Sequence, residues 1–455
     1  MNFVFISPNF PEAYRWFCIR LKENGVNVLG VGDAPYDSLH PQLRDALTEY
    51  YRVDSLENYD QMIRALGYFT GRYGKMDWVE SNNEYWLELD AALRTDFNIT
   101  TGLKSHEIGK YKRKSQMKQY YRQAGIPVAR WLCVTPETTP EQALAFAREV
   151  GYPVVAKPDN GVGAAATYKL RDEAEIRAFF ARRPETDYLM EEYIAGEVTT
   201  YDGVCNSRGE VLFAASHITR NSIMDMVNEH VPTYYYVNKR VPADVEKAGK
   251  ATLKAFGASR RFFHLEFFRL TRGKKGLGRK GDIVALEVNM RPAGGFTPDM
   301  LNFSQSADVY QIWADMVAFD ELRHSYNGPK RYCVYAGRRD EENYRLSLPE
   351  LEKQCGKHAR LFTRMPDALA GAMGNQVAIA CFDTLEGVED FIQAAFAPAE
   401  EEPAQAGPGP EAAAQDGTGS EGAAPAPAEP ATAPGPAAGT EAPGSGAPAA
   451  PADEA

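Results

Sequence analysis

The stretch from Glu287 to Arg291 carries residues whose types and spacing could do chemistry. Its alternation predicts a strand with Glu287, Asn289 and Arg291 on one face and apolar residues on the other. Neighbours on the polar face would stand about 6–7 Å apart. One carboxylate and one amide could therefore reach a common pair of hard cations, with Arg291 meeting an anion beside them.

A second apolar run, residues 262–268, predicts a partner strand, joined to the first by the Gly/Lys-rich loop 272–282. If the two strands pair antiparallel, Glu266 lies near Glu287 on the same face. The alternative is a hairpin with one solvent-exposed polar face, and the hairpin alone does not separate the two hypotheses.

Two further segments could bind a nucleotide. A strand over 153–157 ends in Lys157 and opens into a small-residue loop with Gly161 and Gly163, where backbone N–H groups could approach a polyphosphate. The motif GxxxxGK[ST] is absent, so this is not a P-loop. Residues 188–198 predict two strands joined by a connector that could face an adenine edge, and the alternative is a surface loop with exposed acids.

A helix is predicted over 105–123, and its basic residues are typical of a solvated face. They are Lys110, Lys112, Arg113, Lys114 and Lys118. Residues 212–241 are polar and aromatic and predict no clear element. Candidates for lining a substrate pocket, each equally compatible with a surface or core role, are Arg220, His230, Tyr235, Arg338 and Arg339.

The first hundred residues alternate short apolar runs with amphipathic stretches, which predicts a parallel sheet wound with helices. The predicted strands are 3–6, 26–31, 50–53 and 77–80, and the predicted helices are 11–23, 56–73 and 84–95. Ligands of such sheets bind at the carboxyl ends of the strands, which here include Ser81 to Glu84. We expect a loop role for these residues before a substrate role. No GxGxxG motif indicates a dinucleotide.

Composition and charge indicate the number of domains, the class of partner and the cellular compartment. The chain has 455 residues, enough for two or three domains, and from residue 397 onward it lacks Lys, Arg and aromatic residues, which predicts a disordered tail. Ten acidic residues of that tail account for most of the net charge of −12, so nothing indicates nucleic acid or a membrane as partner. Six cysteines without a CxxC pair, and no transmembrane-length apolar run, predict a cytoplasmic protein.

In order, the chain offers a lysine on a helix before Gly-Ile-Pro-Val, a strand-end lysine before a small-residue loop, Glu-Glu-Tyr-Ile-x-Gly-Glu, and Glu-x-Asn-x-Arg. This succession resembles the ATP-grasp superfamily, most of all its biotin carboxylase and carbamoyl phosphate synthetase branch. The resemblance implies an α/β fold that is α+β in the C-terminal lobe. It divides into a Rossmann-like pre-ATP-grasp domain (1–103), an ATP-grasp domain (104–325) with a hinge near 191–197, a small C-terminal α/β subdomain (326–396) and the tail (397–455).

The resemblance also implies roles for individual residues. Lys114 and Lys157 would contact the phosphates of ATP, under a loop with Gly161 and Gly163. The adenine hinge would be Glu191, Tyr193 and Ile194, with Glu197 on the ribose. Two Mg²⁺ ions, replaceable by Mn²⁺, would bind Glu266, Glu287 and Asn289, while Arg291 would hold the reacting group and act in catalysis with Lys157.

The reaction implied is ADP-forming ligation, in which a small-molecule carboxylate is activated as an acyl phosphate and joined to an amine. Two alternatives stay open. One is a non-catalytic ATP-binding sensor or partner-binding module, and the other is a carboxylating enzyme that activates bicarbonate. The sequence does not identify the substrates, and it is compatible with a homodimer.

Overall fold

A computed structural model describes residues 1–161, 166–183, 185–220 and 232–399. The predictions made for Gly163, for His230 and for the tail from residue 400 therefore lie outside the described residues. A search of the described helices finds none with the length and apolar character needed to cross a membrane.

The N-terminal sheet is parallel, as predicted. Its strands are β1 (Asn2–Ile6), β2 (Asn27–Gly32), β3 (Glu49–Arg52) and β4 (Trp78–Glu80), in the order β3-β2-β1-β4. The helices around it are α1 (Arg15–Glu23), α2 (Pro41–Ala46), α3 (Tyr59–Tyr73) and α4 (Leu87–Asp96), of which α2 was not predicted. A 3-10 helix, Glu84–Trp86, follows β4 at the carboxyl end of the sheet.

The prediction of one continuous helix over 105–123 is wrong, because the structure has two helices there. This segment is divided into α5 (Gly109–Lys112) and α6 (Lys114–Gln123) because Arg113 is extended and forms a bridge with Asn160. Asp159 accepts hydrogen bonds from the first backbone N–H groups of α6. Its carbonyl accepts from Lys114 N at 2.9 Å, and its Oδ1 accepts from Ser115 N at 2.7 Å. These bonds fix the beginning of α6 to the loop that follows Lys157.

A second sheet of four antiparallel strands follows. It consists of β5 (Trp131–Val134), β6 (Val154–Pro158), β7 (Tyr168–Leu170) and β8 (Tyr188–Glu192), in the order β5-β8-β6-β7. The accompanying helices are α7 (Pro140–Val150), which begins in a capping box with Thr139 and Gln142, and α8 (Glu173–Arg182).

The largest sheet has nine strands and contains the hairpin predicted from the sequence. Its strands are β9 (Gly196–Cys205), β10 (Val211–Ala215), β11 (His217–Thr219), β12 (Thr233–Val237), β13 (Arg261–Leu270), β14 (Ile283–Asn289), β15 (Tyr332–Arg338), β16 (Ala359–Arg364) and β17 (Gln376–Phe382). Their order is β14-β13-β9-β11-β12-β15-β17-β16, and β10 also pairs with β9. The helices of this region are α9 (Ala243–Phe256), α10 (Thr297–Gln305), α11 (Val309–Phe319), α12 (Leu348–Cys355), α13 (Asp367–Met373) and α14 (Leu385–Phe396).

The C-terminal strands do not form a sheet of their own, because all five residues of β12 pair with β15. The domain boundaries stay a prediction. Residues 397–399, assigned to the tail from the sequence, bond to residues 343–345 through main-chain groups.

Candidate active site

The hairpin of β13 and β14 has the register that the alternation predicted. Glu266 lies opposite Glu287, and His264 lies opposite Asn289. Asn289 Nδ2 lies 3.5 Å from Glu266 Oε1, and the hydroxyl of Tyr121 donates to the Glu287 carbonyl at 2.9 Å. The hairpin therefore brings the three predicted metal ligands together on one face.

The two predicted phosphate lysines lie beside these carboxylates and are almost fully buried. Lys114 Nζ is 3.4 Å from Glu287 Oε1, and it donates to the Gly161 carbonyl at 3.3 Å. Lys157 Nζ is 2.7 Å from Glu191 Oε2. Burial works against the charge of Lys157, but the neighbouring glutamates, Glu191 foremost, raise its pKa above the ordinary value.

A third lysine, Lys118, joins the same cluster. Glu191 is buried between Lys118 and Lys157 and pairs with both. Burial raises the pKa of a carboxyl, but the two ammonium groups outweigh it and lower the pKa of Glu191 to about 2. For Lys118 burial dominates and lowers the pKa.

The predicted solvated face of this helix is therefore wrong for three of its five basic residues, Lys112, Lys114 and Lys118, each at most 5% exposed. Each of the three has a carboxylate partner from a distant part of the chain. Their burial costs less than that of an isolated cation because the opposite charge lies in contact. The spacing of four residues from Lys114 to Lys118 was the sequence signal for a shared helix face.

The predicted hinge joins β8 to β9. The carbonyl of Tyr193 accepts from Lys274 Nζ at 2.7 Å. Among the described residues, none hydrogen-bonds the backbone of Ile194, so its N–H and carbonyl stay available to a ligand. Glu197 lies at the start of β9, with Oε1 3.9 Å from Arg220 Nε.

Arg291 meets a residue from the N-terminal sheet. Its Nε lies 3.2 Å from Glu84 Oε2, and the other oxygen of Glu84 lies 2.8 Å from Lys112 Nζ. Glu84 comes just after β4, at the carboxyl end of the sheet, where the sequence favours a loop role over a ligand role. Beside it, the buried Asn82 has a positive φ of 53°, and its Nδ2 has no hydrogen-bond partner in the part of the chain that the structure describes. These groups place polar atoms of the N-terminal sheet next to Arg291.

The other pocket candidates lie in different surroundings. Arg338 is buried, with its guanidinium 4.1 Å from the centre of the Tyr344 ring, and Arg339 donates to the Gly371 carbonyl at 3.2 Å. Arg220 pairs with Glu389 at 3.3 Å as well as lying near Glu197. Tyr235 is buried, and its hydroxyl lies 3.0 Å from Thr297 Oγ1.

Sequence reasoning gave no role to a buried cluster next to Glu266. Asp202, His217 and His264 lie with their ligand atoms within 4.8 Å of one another. His264 Nε2 is 2.9 Å from Glu266 Oε1. Burial opposes the charge of Glu266, but the bond from His264 holds its pKa below the ordinary value.

Comparisons with known proteins bear on the family and the fold. The family described as D-ala D-ala ligase C-terminus matches residues 120–309, which contain the four-stranded sheet and strands β9 to β14 of the nine-stranded sheet. A crystal structure of an L-amino acid ligase from Bacillus licheniformis superposes with a TM-score of 0.64 at 15% identity, covering 87% of this chain and 96% of that one. Residues 120–309 thus match an ATP-grasp ligase family, and the chain has the fold of ATP-grasp ligases. The fold and family predicted from the sequence are thereby confirmed.

Other relatives align with much of the length of this chain. The L-arginine-specific L-amino acid ligase of Bacillus subtilis is 24% identical over 306 residues, which are 65% of this chain and 70% of that protein. The biotin carboxylase domain of the 2-oxoglutarate carboxylase of Hydrogenobacter thermophilus, solved with MgADP and bicarbonate, superposes with a TM-score of 0.61 at 17% identity and covers 86% of this chain and 88% of its own. Ligation of a carboxylate to an amine at the expense of ATP is the activity that these comparisons support for the chain.

Proposed function

We propose that this ATP-grasp ligase joins two amino acids, activating the carboxylate of one as an acyl phosphate that the amine of the other attacks. The observation that carries the proposal is the convergence of Glu266, Glu287 and Asn289 with Lys114 on one face, with Arg291 two residues after the end of β14. The amino-acid substrates are supported by the ligases of Bacillus that the chain resembles in sequence and in fold.

The carboxylate pair fits divalent cations. Glu266 and Glu287 face each other across the hairpin, Asn289 adds an amide oxygen, and all three offer hard oxygen donors. We assign two Mg²⁺ ions to them, and Mn²⁺ would accept the same donors. Bound ions would offset the charge of the ATP phosphates and of the incoming carboxylate.

The lysines act on the transferred phosphoryl group. Lys114 and Lys157 now contact carboxylates, and with ATP bound their ammonium groups would turn to the phosphates. The loop at Gly161 and Gly163 would cover them. Phosphoryl transfer needs positioning and charge neutralisation more than covalent help, which buried, preorganised cations supply.

At the hinge, the free backbone groups of Ile194, with Tyr193, would bind the adenine edge while Glu197 binds the ribose hydroxyls. Glu191 contributes indirectly, because its carboxylate holds Lys157 in place. Arg291 would bind the carboxylate that receives the phosphoryl group, since its guanidinium can take two oxygens at once. Glu84, 3.2 Å away, orients that guanidinium.

The test is ADP release with single amino acids, with pairs of amino acids and with none, together with the mass of the product. We expect ADP release to depend on amino acids and the product mass to equal two amino acids less one water. Arg291→Gln should abolish product, whereas Arg345→Gln, a change at an exposed arginine away from the site, should not. ADP release that requires bicarbonate would identify a carboxylating enzyme instead, and ATP binding without turnover under any condition would identify a sensor.

A further inference from the structure

Two histidines share one buried carboxylate behind the proposed metal ligands. Asp202 is fully buried; its Oδ1 lies 2.6 Å from His264 Nδ1 and its Oδ2 lies 2.9 Å from His217 Nδ1. His264 is engaged at both ring nitrogens, because its Nε2 bonds to Glu266. His217 is engaged only at Nδ1, and none of the described residues hydrogen-bonds its Nε2.

His217 stands on the face of the sheet that carries the carboxylates. On β9, Thr200 pairs with Glu266, which in turn pairs with Glu287. On the other side of β9, the His217 backbone N–H bonds to Thr200 Oγ1 at 3.0 Å, and the next residue of β11 pairs with Thr199. Paired residues of an antiparallel sheet point to the same face. Glu287, Glu266, Thr200 and His217 therefore form one row across four strands.

The bond to Asp202 sets the state of the His217 ring. A carboxylate only accepts hydrogen bonds, so His217 carries its proton on Nδ1, and the lone pair of the neutral ring lies on Nε2. A carboxylate that holds an imidazole in this way fixes its orientation and stabilises the imidazolium that forms when Nε2 takes up a proton. The side chain keeps 8% of its surface exposed, which leaves an approach for a ligand atom.

On this face Glu287 is assigned to the metal ions, and the titratable groups packed around His217 are engaged elsewhere. They are Asp202 on β9, His264 and Glu266 on β13, and Tyr235 on β12, whose ring centre is 5.5 Å from that of His217. The His264 ring is hydrogen-bonded to Asp202 through one nitrogen and to Glu266 through the other, and burial raises the pKa of Tyr235 above its ordinary value.

The ligation itself requires such a base. At neutral pH the α-amine of an amino acid is an ammonium, which has no lone pair with which to attack an acyl phosphate. We propose that His217, held by Asp202, is the general base that removes a proton from the ammonium of the amine substrate. This assignment rests on the proposed function.

The step balances as follows. His217 Nε2 takes one ammonium proton, and the freed electron pair attacks the carbonyl carbon of the acyl phosphate. The C–N bond forms, and the C–O bond to phosphate breaks with its electron pair on the phosphate. The second proton lost by nitrogen passes to the departing phosphate, and His217 returns its proton to water.

The experiment compares two amines in His217→Gln. Hydroxylamine is largely unprotonated at neutral pH and traps an acyl phosphate as a hydroxamate without needing a base, whereas an amino acid must first lose a proton. We expect the variant to lose amide formation by about a hundredfold or more, while hydroxamate formation stays within a few-fold of the wild-type rate. The exposed His106→Gln is the matched control and should change neither rate.

Three outcomes in the variant and one in the wild type decide the assignment. Amide formation near the wild-type rate in His217→Gln overturns it. Equal loss of both products also overturns it, because a base is dispensable for hydroxylamine. Retained hydroxamate formation with lost amide formation supports it. In that case Asp202→Asn should also slow amide formation more than hydroxamate formation. If the wild type forms neither product, the proposed function fails first, and the base assignment fails with it.

Discussion

Glu287→Gln deletes one negative charge from the row of Glu287, Glu266, Thr200 and His217 and keeps the size of the side chain. If Glu287 is a metal ligand, the half-saturating Mg²⁺ concentration should rise about tenfold or more, and turnover at saturating Mg²⁺ should fall roughly a hundredfold. A hundredfold loss corresponds to about 2.7 kcal/mol of transition-state stabilisation. The free energy of unfolding should also fall, because the almost fully buried Lys114 loses the carboxylate that lies 3.4 Å away. The shift of the Mg²⁺ titration midpoint is therefore the result that identifies a metal ligand.

The assay is ADP release titrated with Mg²⁺, beside a urea unfolding curve. Val288→Thr is the matched control on the next residue, because Val288 is fully buried on the opposite face. Its new hydroxyl would be buried without a partner, so the free energy of unfolding should fall by about 1–3 kcal/mol while the Mg²⁺ titration midpoint stays unchanged. An unaltered Mg²⁺ titration in Glu287→Gln would refute the metal assignment for this strand.

Three further changes test other parts of the site. Lys157→Ala should lower ADP formation about a hundredfold and leave the folding of the ATP-free protein intact. Near-normal turnover in this variant would show that the phosphates bind elsewhere. Glu191 has its pKa lowered to about 2, so its contribution to stability is fully present above its unfolded pKa near 4.5 and is lost as the pH falls toward about 2. Urea unfolding of Glu191→Gln should therefore show a flatter loss of stability over that pH window than the wild type, and an unchanged slope would contradict the shift. A chain ending after Ala399 should keep its melting temperature and its ADP formation, because residues 397–399 already complete the main-chain bonds to residues 343–345; a large drop in either would show that the removed tail takes part.

The parts of the site that lie on strands could be predicted because a strand has only two faces. Alternation assigned Glu266 and Glu287 to the polar face, and the antiparallel register then followed from the hairpin. The parallel N-terminal sheet could also be predicted, because short apolar runs alternate there with amphipathic stretches.

What could not be predicted depended on contacts between distant segments. A lysine on a helix is usually exposed, so the sequence places Lys118 on the surface. Its burial depends on the ion pair with Glu191 on β8, which offsets the desolvation of the ammonium group. His217 lies on β11, a strand of three residues, too short to show a period of two. The sequence favours a loop role for Glu84, because nothing in it shows that Arg291 approaches this residue.

Sequence order also did not reveal which sheet the C-terminal strands join. Strand β15 pairs with β12 over five residues, and the rings of Tyr235 and Tyr335 stack across this pairing at 5.0 Å. Adjacent strands in a sheet need not be adjacent in the chain, so a local pattern predicts a strand but not its neighbour.

This pairing has a practical consequence for any shortened form of the protein. A chain that stopped near residue 325 would keep every residue proposed to bind the nucleotide, the metals and the substrate carboxylate. It would nevertheless leave β12 with a row of unpaired N–H and carbonyl groups and uncover Tyr235, which now packs against β15. An open, aromatic strand edge is a template for pairing with other chains. Such a fragment should aggregate on expression, so that soluble production of the ligase requires the C-terminal strands even though they supply none of the proposed ligands.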